Sequence, residues 1–167
     1  MNNRFEIMPS ESRMWCFAFK KPLNTEQQQV FEDKLSLFCN SWVAHDQKLF
    51  AAFKLFYKQI FVLTVDETFN HASGCSIDKS VKFIEQLASN LKNEIASKDL
   101  IWFLNSIQEL NSIKLNDIEF GIQNGIINEN TLIIPTWVSK KKDWDHLFLQ
   151  PAKQSWLAKY FSKSILS

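Results

Sequence analysis

The sequence predicts an α+β protein: a ferredoxin-like β-α-β-β-α-β sandwich, with two helices on one face of a four-stranded antiparallel sheet, followed by a C-terminal α/β extension. Three observations carry this expectation. Short runs rich in aromatic and β-branched residues alternate, in that order, with two longer segments of helical period. The 167 residues are 46% apolar, enough for one domain to bury a core without a disulfide or metal staple. Only three glycines and four prolines are present, which argues against a loop-rich or disordered chain.

Residues 1–12 read as a polar N-terminal segment, 13–104 as the sandwich and 105–167 as an extension packed on the same domain. Arg13-Met14-Trp15-Cys16-Phe17-Ala18-Phe19 is apolar on both alternating faces, as in a central strand. Pro22 ends it, and Asn24 or Thr25 can cap a helix over residues 25–43, with Val30, Leu35 or Lys34, Phe38 and Trp42 on its inner stripe and Phe31 and Leu37 broadening it. Leu49 to Tyr57 and Ile60 to Asp66 read as a hairpin turning at Lys58-Gln59. After the polar stretch 67–76, Ile77, Val81, Ile84, Leu87 or Ala88, and Leu91 share one face of a second helix. Leu100 to Leu104 supplies the fourth strand. In the extension, Leu115 to Asn124 reads as a helix stopped by Gly125, Thr131 to Ile134 as a strand, and Ser155 to Ile165 as a terminal helix docked by its aromatic side.

This element order brings distant residues together. If the first strand runs up, the first helix ends at the bottom; the second strand starts there, the third returns there, and the second helix starts there. Arg13, Trp42, His45, Asp66, His71, Ser73, Cys75, Ser76 and Asp78 are therefore expected on one lower rim.

The sharpest motif on that rim is Ser73-Gly74-Cys75-Ser76-Ile77-Asp78, a turn feeding a helix. A helix start presents unpaired N–H groups and partial positive charge, which suit an anion or a thiolate. Gly74 allows close backbone approach or a positive φ. Arg13, Trp42, His45, Ser73, Gly74, Cys75, Ser76 and Asp78 are the candidate ligand-binding residues. Cys75 with His45 or His71 as base and Asp66 as orienting carboxylate is the candidate catalytic set. Each has a plainer reading: Ser73 or Ser76 caps the helix, Cys75 fills a small hole, His45 meets the dipole at the end of the first helix, and Arg13 pairs with Asp66 or Asp78.

Several activities are argued against. Nineteen basic and eighteen acidic residues give a net charge of +1, and the Lys140-Lys141-Lys142 run is followed by Asp143 and Asp145, so it reads as a solvated turn and no nucleic-acid partner is expected. No G-x-x-x-x-G-K-[ST], G-x-G-x-x-G or G-x-S-x-G motif occurs, and His71 and Cys75 lack the further ligands of a metal site. No cofactor or metal is expected. Cys16, Cys39 and Cys75 have no framework spacing, the first twelve residues lack a secretion-type apolar run, and no stretch is long enough to span a membrane, so a cytoplasmic chain with reduced thiols follows.

The segments Phe61 to Asp66, His71-Ala72-Ser73-Gly74-Cys75-Ser76-Ile77-Asp78 and Val81 to Ile84 resemble an uncharacterised family of Bacteroidota proteins often labelled "ABC transporter ATPase". Arg13-Met14-Trp15, Trp42-Val43-Ala44-His45, Gly125-Ile126, Thr131-Leu132-Ile133, Pro151 and Ser155-Trp156 are similar too, with a departure at His71. The resemblance implies a lineage and a compartment but no activity, because the parts of an ATPase are missing from this sequence. The functional expectation is a small, cytosolic, non-catalytic binding or regulatory protein, whose rim takes a small anionic ligand or a protein partner. A thiol-dependent enzyme using Cys75 for acyl, phosphoryl or sulfur transfer is the alternative. Sheets of this class often pair, so a homodimer is one possible assembly, and the sequence leaves the oligomeric state open.

Overall fold

The computed structural model describes residues 3–163, which form two compact units. The first holds the chain up to Ala96 together with Val138–Lys142; the second holds Ser97–Trp137 and the chain from Asp143 onward. Both are mixed helix and antiparallel sheet. Among the described residues no helix is long and apolar enough to cross a membrane.

In the first unit the chain runs β1 (Arg13–Ala18), α1 (Thr25–Ser41), β2 (Val43–Ala44), β3 (Gln47–Lys48), β4 (Phe50–Phe56), β5 (Ile60–Asp66) and α2 (Gly74–Asn90). The sheet is three-stranded, in the order β1-β5-β4, and antiparallel throughout. Asn24 caps α1 through a capping box with Gln27, each side chain bonding the other's backbone N–H. The odd-numbered side chains of the sheet, Trp15, Phe17, Phe19, Phe53, Phe61 and Leu63 among them, belong to one core with Phe31, Leu35 and Cys39 of α1 and with Ile84, Leu87 and Ala88 of α2. Phe31 sits at the centre, with ring centroids 5.0 Å from Phe61, 5.7 Å from Phe19 and 5.8 Å from Phe53. Such tilted and edge-on contacts are the arrangement aromatic quadrupoles favour. The inner stripe of α1 thus runs through Phe31 and Leu35, as predicted, and through Cys39, while Val30 and Leu37 are left exposed.

The fourth strand of a ferredoxin-like sheet does not join this sheet. Leu100–Leu104 lies in the second unit, and two physical reasons account for it. After α2 the chain turns through Lys92, at φ 51°, and lays residues 94–96 along the upper end of β1, where Lys20 N–H bonds Glu94 O at 2.8 Å and Ala96 N–H bonds Ala18 O at 2.7 Å. At the lower end, Met14 N–H bonds Ser139 O at 2.8 Å and Arg13 bridges Lys140. Both ends of the free edge of β1 are therefore occupied. Ile101, Trp102, Phe103 and Leu104 are also buried on both strand faces, which suits a central strand and not an edge.

The N-terminal segment is not merely polar: Phe5 and Met8 are buried, and the Phe5 ring meets Phe56 edge-on at 6.1 Å.

In the second unit, β6 (Leu100–Leu104) pairs with β7 (Leu110–Lys114) and with β8 (Leu132–Ile134), and α3 (Ile118–Gln123) lies between β7 and β8 in the chain. The helix α4 (Lys141–Leu147) begins in the return segment, and β9 (Gln150–Pro151) and α5 (Ala158–Lys163) complete the chain order. The sheet order is β7-β6-β8-β9. Its core gathers Ile101, Phe103, Ile118, Ile127, Ile133, Ala152, Leu157 and Phe161. Gly125, at φ 70°, ends α3 as the sequence predicts. The terminal helix begins at Ala158, not Ser155, and buries Phe161; Trp156 precedes it and is exposed, and Ile165 lies outside the described residues. The Lys140-Lys141-Lys142 run leads into α4 instead of forming a solvated turn, and Lys141 is buried with its ammonium 5.0 Å over the Phe5 ring.

Candidate functional site

The lower rim is built by chain reversals within the first unit. Trp42 caps the C-terminal end of α1 and is buried; its indole Nε1–H donates to Ser76 O in the first turn of α2 at 3.0 Å. Arg13 pairs with Val65 and Phe50 with Asp66, so the start of β1, the start of β4 and the end of β5 lie at the same level. Asn70 Nδ2 reaches Lys48 O at 3.2 Å, tying the loop after β5 to β3.

Ser73 is the N-cap of α2: its Oγ accepts the Ser76 N–H at 3.2 Å, and the Ser76 hydroxyl donates back to Ser73 O at 2.8 Å. Gly74 is the first residue of the helix, without a positive φ and with nothing within 4 Å of a built Cβ. Its role is therefore not a left-handed turn; it leaves open space beside the helix start. Cys75 follows, exposed, and Asp78 is exposed one residue beyond Ile77.

The candidate catalytic residues are not joined by hydrogen bonds. Among the described residues, Cys75, His45 and His71 have no side-chain hydrogen bond to one another or to Asp66. Asp66 instead accepts the Thr68 N–H at 2.9 Å and the Thr68 hydroxyl at 2.6 Å, folding its own loop. His45 does not sit at a helix end. It and Asp46, at φ 49° and 63°, are the two turn residues of the small β2–β3 hairpin, a position where His and Asp are tolerated better than most residues. Burial pushes the other two thiols, Cys16 and Cys39, up to about 12. Among the described residues no group of three or more His, Cys, Asp or Glu side chains could hold a metal ion.

What the rim does assemble is a half-open cleft of about 490 Å³ under Arg13, bounded by the loop Asp66–Thr68 on one side and by Glu11, Ser139 and Lys140 on the other. The guanidinium lies 5.0 Å over the Trp15 ring, a cation–π contact that favours holding it there. Its carboxylate neighbour is Glu67, not Asp66 or Asp78, and the 3.8 Å to Oε1 is longer than a hydrogen bond. Glu67 Oε1 is held by the Ala72 N–H at 2.8 Å, which braces the loop from its far end. Phe69, in the middle of that braced loop, is 88% exposed. On the opposite wall Glu11 accepts from both Lys140 and Lys142 at 2.7 Å, and these two ammonium groups hold its carboxyl down at about 2.

Sequence reasoning placed Arg13 and Asp66 here but missed Glu11, Thr68, Ser139 and Lys140. Thr68 and Glu67 lie in the polar stretch after β5, a local signal. Glu11 and Lys140 are 129 positions apart, and no local signal joins them. Comparison with known proteins finds no match: no protein-family model, no curated protein and no solved structure is significantly similar to the chain.

Proposed function

We propose that this protein is a small cytosolic, non-catalytic binding protein that engages its ligand or partner on the lower rim. The single observation carrying this reading is Arg13: its guanidinium stands at a cleft, lies 5.0 Å over the Trp15 ring, and has no carboxylate within hydrogen-bond distance among the described residues. A planar fork of donors held this way suits capture of a carboxylate or phosphate. The neighbouring start of α2, open at Gly74, widens the same rim. A ferredoxin-like arrangement is proposed for the first unit only as far as its β-α-β-β-α part, supported by the β1-β5-β4 order of its three-stranded sheet. The thiol-enzyme reading retains one supporting observation, the exposure of Cys75 at the start of α2.

The test is an amide-resolved NMR titration of the whole chain with four probes: acetate, inorganic phosphate, methylammonium and glycylglycine. At least one is expected to give saturable shifts clustered on Arg13, Thr68 and Lys140, and Arg13→Ala is expected to remove them. If no probe gives clustered shifts up to roughly 50 mM, far weaker than functional recognition requires, the rim is not a binding site.

A further inference from the structure

We infer that the Arg13 cleft takes a ligand carrying a carboxylate and a cationic group together, the chemistry of a short peptide, in preference to a bare anion. This rests on the rim-binding reading and adds the ligand class to it. The groups in and around the cleft are three cations, Arg13, Lys140 and Lys142, and three carboxylates, Glu11, Asp66 and Glu67. Their formal charges cancel, so the cleft offers no net attraction to a phosphate or sulfate dianion.

The two signs are nonetheless unequally spent: Lys140 and Lys142 are both taken up by Glu11, whereas Arg13 and the loop carboxylates Asp66 and Glu67 keep capacity for a ligand. Arg13 and Lys140 are bridge partners on adjacent strands, so two cations stand side by side. The Lys140 ammonium is engaged by Glu11, whereas the Arg13 fork is open. On the loop side, Asp66 uses Oδ1 for Thr68 and Glu67 uses Oε1 for Ala72. The second oxygen of each carboxylate has no hydrogen bond among the described residues and can accept from an ammonium or guanidinium. An anion drawn to Arg13 alone would lie against Asp66 and Glu67 and be repelled; a ligand with its own cation converts that repulsion into a second contact. The volume, about 490 Å³, lies in the range of ordinary ligand sites. Phe69, directly after Thr68 and 88% exposed, adds an apolar surface at the same loop that a peptide side chain can cover and a small inorganic ion cannot.

The chemistry can come from a free peptide or from a segment of a partner chain, and the experiment separates them. The whole chain is titrated by NMR with glycylglycine, with its N-acetyl and amide-blocked forms, with acetyl-Lys-Leu-Glu-amide, and with inorganic phosphate. A ligand with both charges is expected to saturate the Arg13, Thr68 and Lys140 shifts at a concentration about tenfold below either blocked form or phosphate. Arg13→Ala and Asp66→Asn are each expected to weaken it by about tenfold. Tighter binding of glycylglycine assigns the free peptide, and tighter binding of the blocked tripeptide with a response to Phe69→Ser assigns the partner segment. If phosphate or acetylated glycylglycine binds as well as the doubly charged probes, this inference falls while the rim reading stands. If nothing perturbs the cleft, the rim reading itself falls.

Discussion

Replacing Trp42 by Phe tests the joint on which the rim depends. The substitution keeps an aromatic ring against Phe38 and Trp15, whose centroids lie 5.2 and 6.0 Å from it, but removes the indole N–H that reaches Ser76 O at 3.0 Å. Losing one buried hydrogen bond costs about 1 kcal/mol. The Ser76 carbonyl is not orphaned, because it lies inside α2 and can take the ordinary helical bond. The smaller ring removes roughly 40 Å² of buried apolar contact, about 1 kcal/mol. It also leaves up to roughly 40 Å³ empty, a further ~1 kcal/mol unless neighbours relax. The expected loss is therefore about 2–3 kcal/mol, below the roughly 3–5 kcal/mol of Trp42→Ala. Urea unfolding followed by far-ultraviolet circular dichroism reads the loss as a lower midpoint at unchanged slope. The amide resonances of Gly74 to Ile77 should shift in the native state, since their helix turn loses its tie to α1. A loss under about 0.5 kcal/mol, within the range of an ordinary surface substitution, would refute the reasoning, as would unmoved resonances at the start of α2.

Other consequences follow from the same geometry. Lys92 occupies the left-handed position after α2, where its N–H bonds Ser89 O at 2.9 Å and Asn93 N–H bonds Ala88 O at 2.9 Å, so Lys92→Gly should stabilise by about 1 kcal/mol; a lower melting temperature would contradict it. Gly74→Ala, at the other end of the 17-residue helix, should add about 0.5 kcal/mol independently, and if it abolishes probe binding, the open space at Gly74 belongs to the site. Burial raises the thiols of Cys16 and Cys39 to about 12 and keeps them protonated near neutral pH, so iodoacetamide should label the native protein once, at the exposed Cys75. Labelling of Cys75 far faster than of glutathione would instead revive the thiol-enzyme reading. The Glu11 carboxyl is depressed from 4.5 to about 2, so its contribution is present above pH 4.5 and lost as pH falls toward 2. Glu11→Gln should accordingly melt slightly below the wild type at pH 6, with the gap closing at pH 2; a gap unchanged at pH 2 would refute the assignment.

The elements with strong periodicity were legible. The second helix, the Ile60–Asp66 strand and the Leu100–Leu104 strand form over the predicted residues, and the helix buries Ile84, Leu87 and Ala88 of its marked face, although Leu100–Leu104 joins a different sheet. The β2–β3 hairpin was not, because two-residue strands have no period and its turn is His45-Asp46 in place of a glycine pair. The same economy recurs at Tyr57-Lys58, at φ 52° and 59°, so the β4–β5 connection is Tyr57-Lys58-Gln59, the predicted pair with Tyr57 added. A chain with three glycines fills left-handed positions with other residues, and the usual punctuation disappears. The rim was legible because it follows from element order alone. Its chemistry was not: the pairing of His45 or His71 with Cys75 needed side-chain directions, and those are set by turns that the sequence does not mark.

The missing fourth strand and the composition of the cleft have one cause. In a four-stranded sheet the lower half of the free edge of β1 would be closed by a neighbour from the same unbroken run. Here it is closed by a return segment, through Met14 N–H to Ser139 O and Lys141 N–H to Ser12 O at 3.0 Å. That segment places Lys140 beside Arg13 and, through Lys140 and Lys142, holds Glu11 against the opposite wall. A Leu-Ile-Trp-Phe-Leu strand in the same place would have set apolar side chains there instead. The departure from the simplest reading of the strand order is thus what turns a plain sheet edge into a charged cleft. Substitutions that loosen the return segment, such as Glu11→Gln, should for that reason weaken probe binding at Arg13 even though Glu11 need not touch the probe.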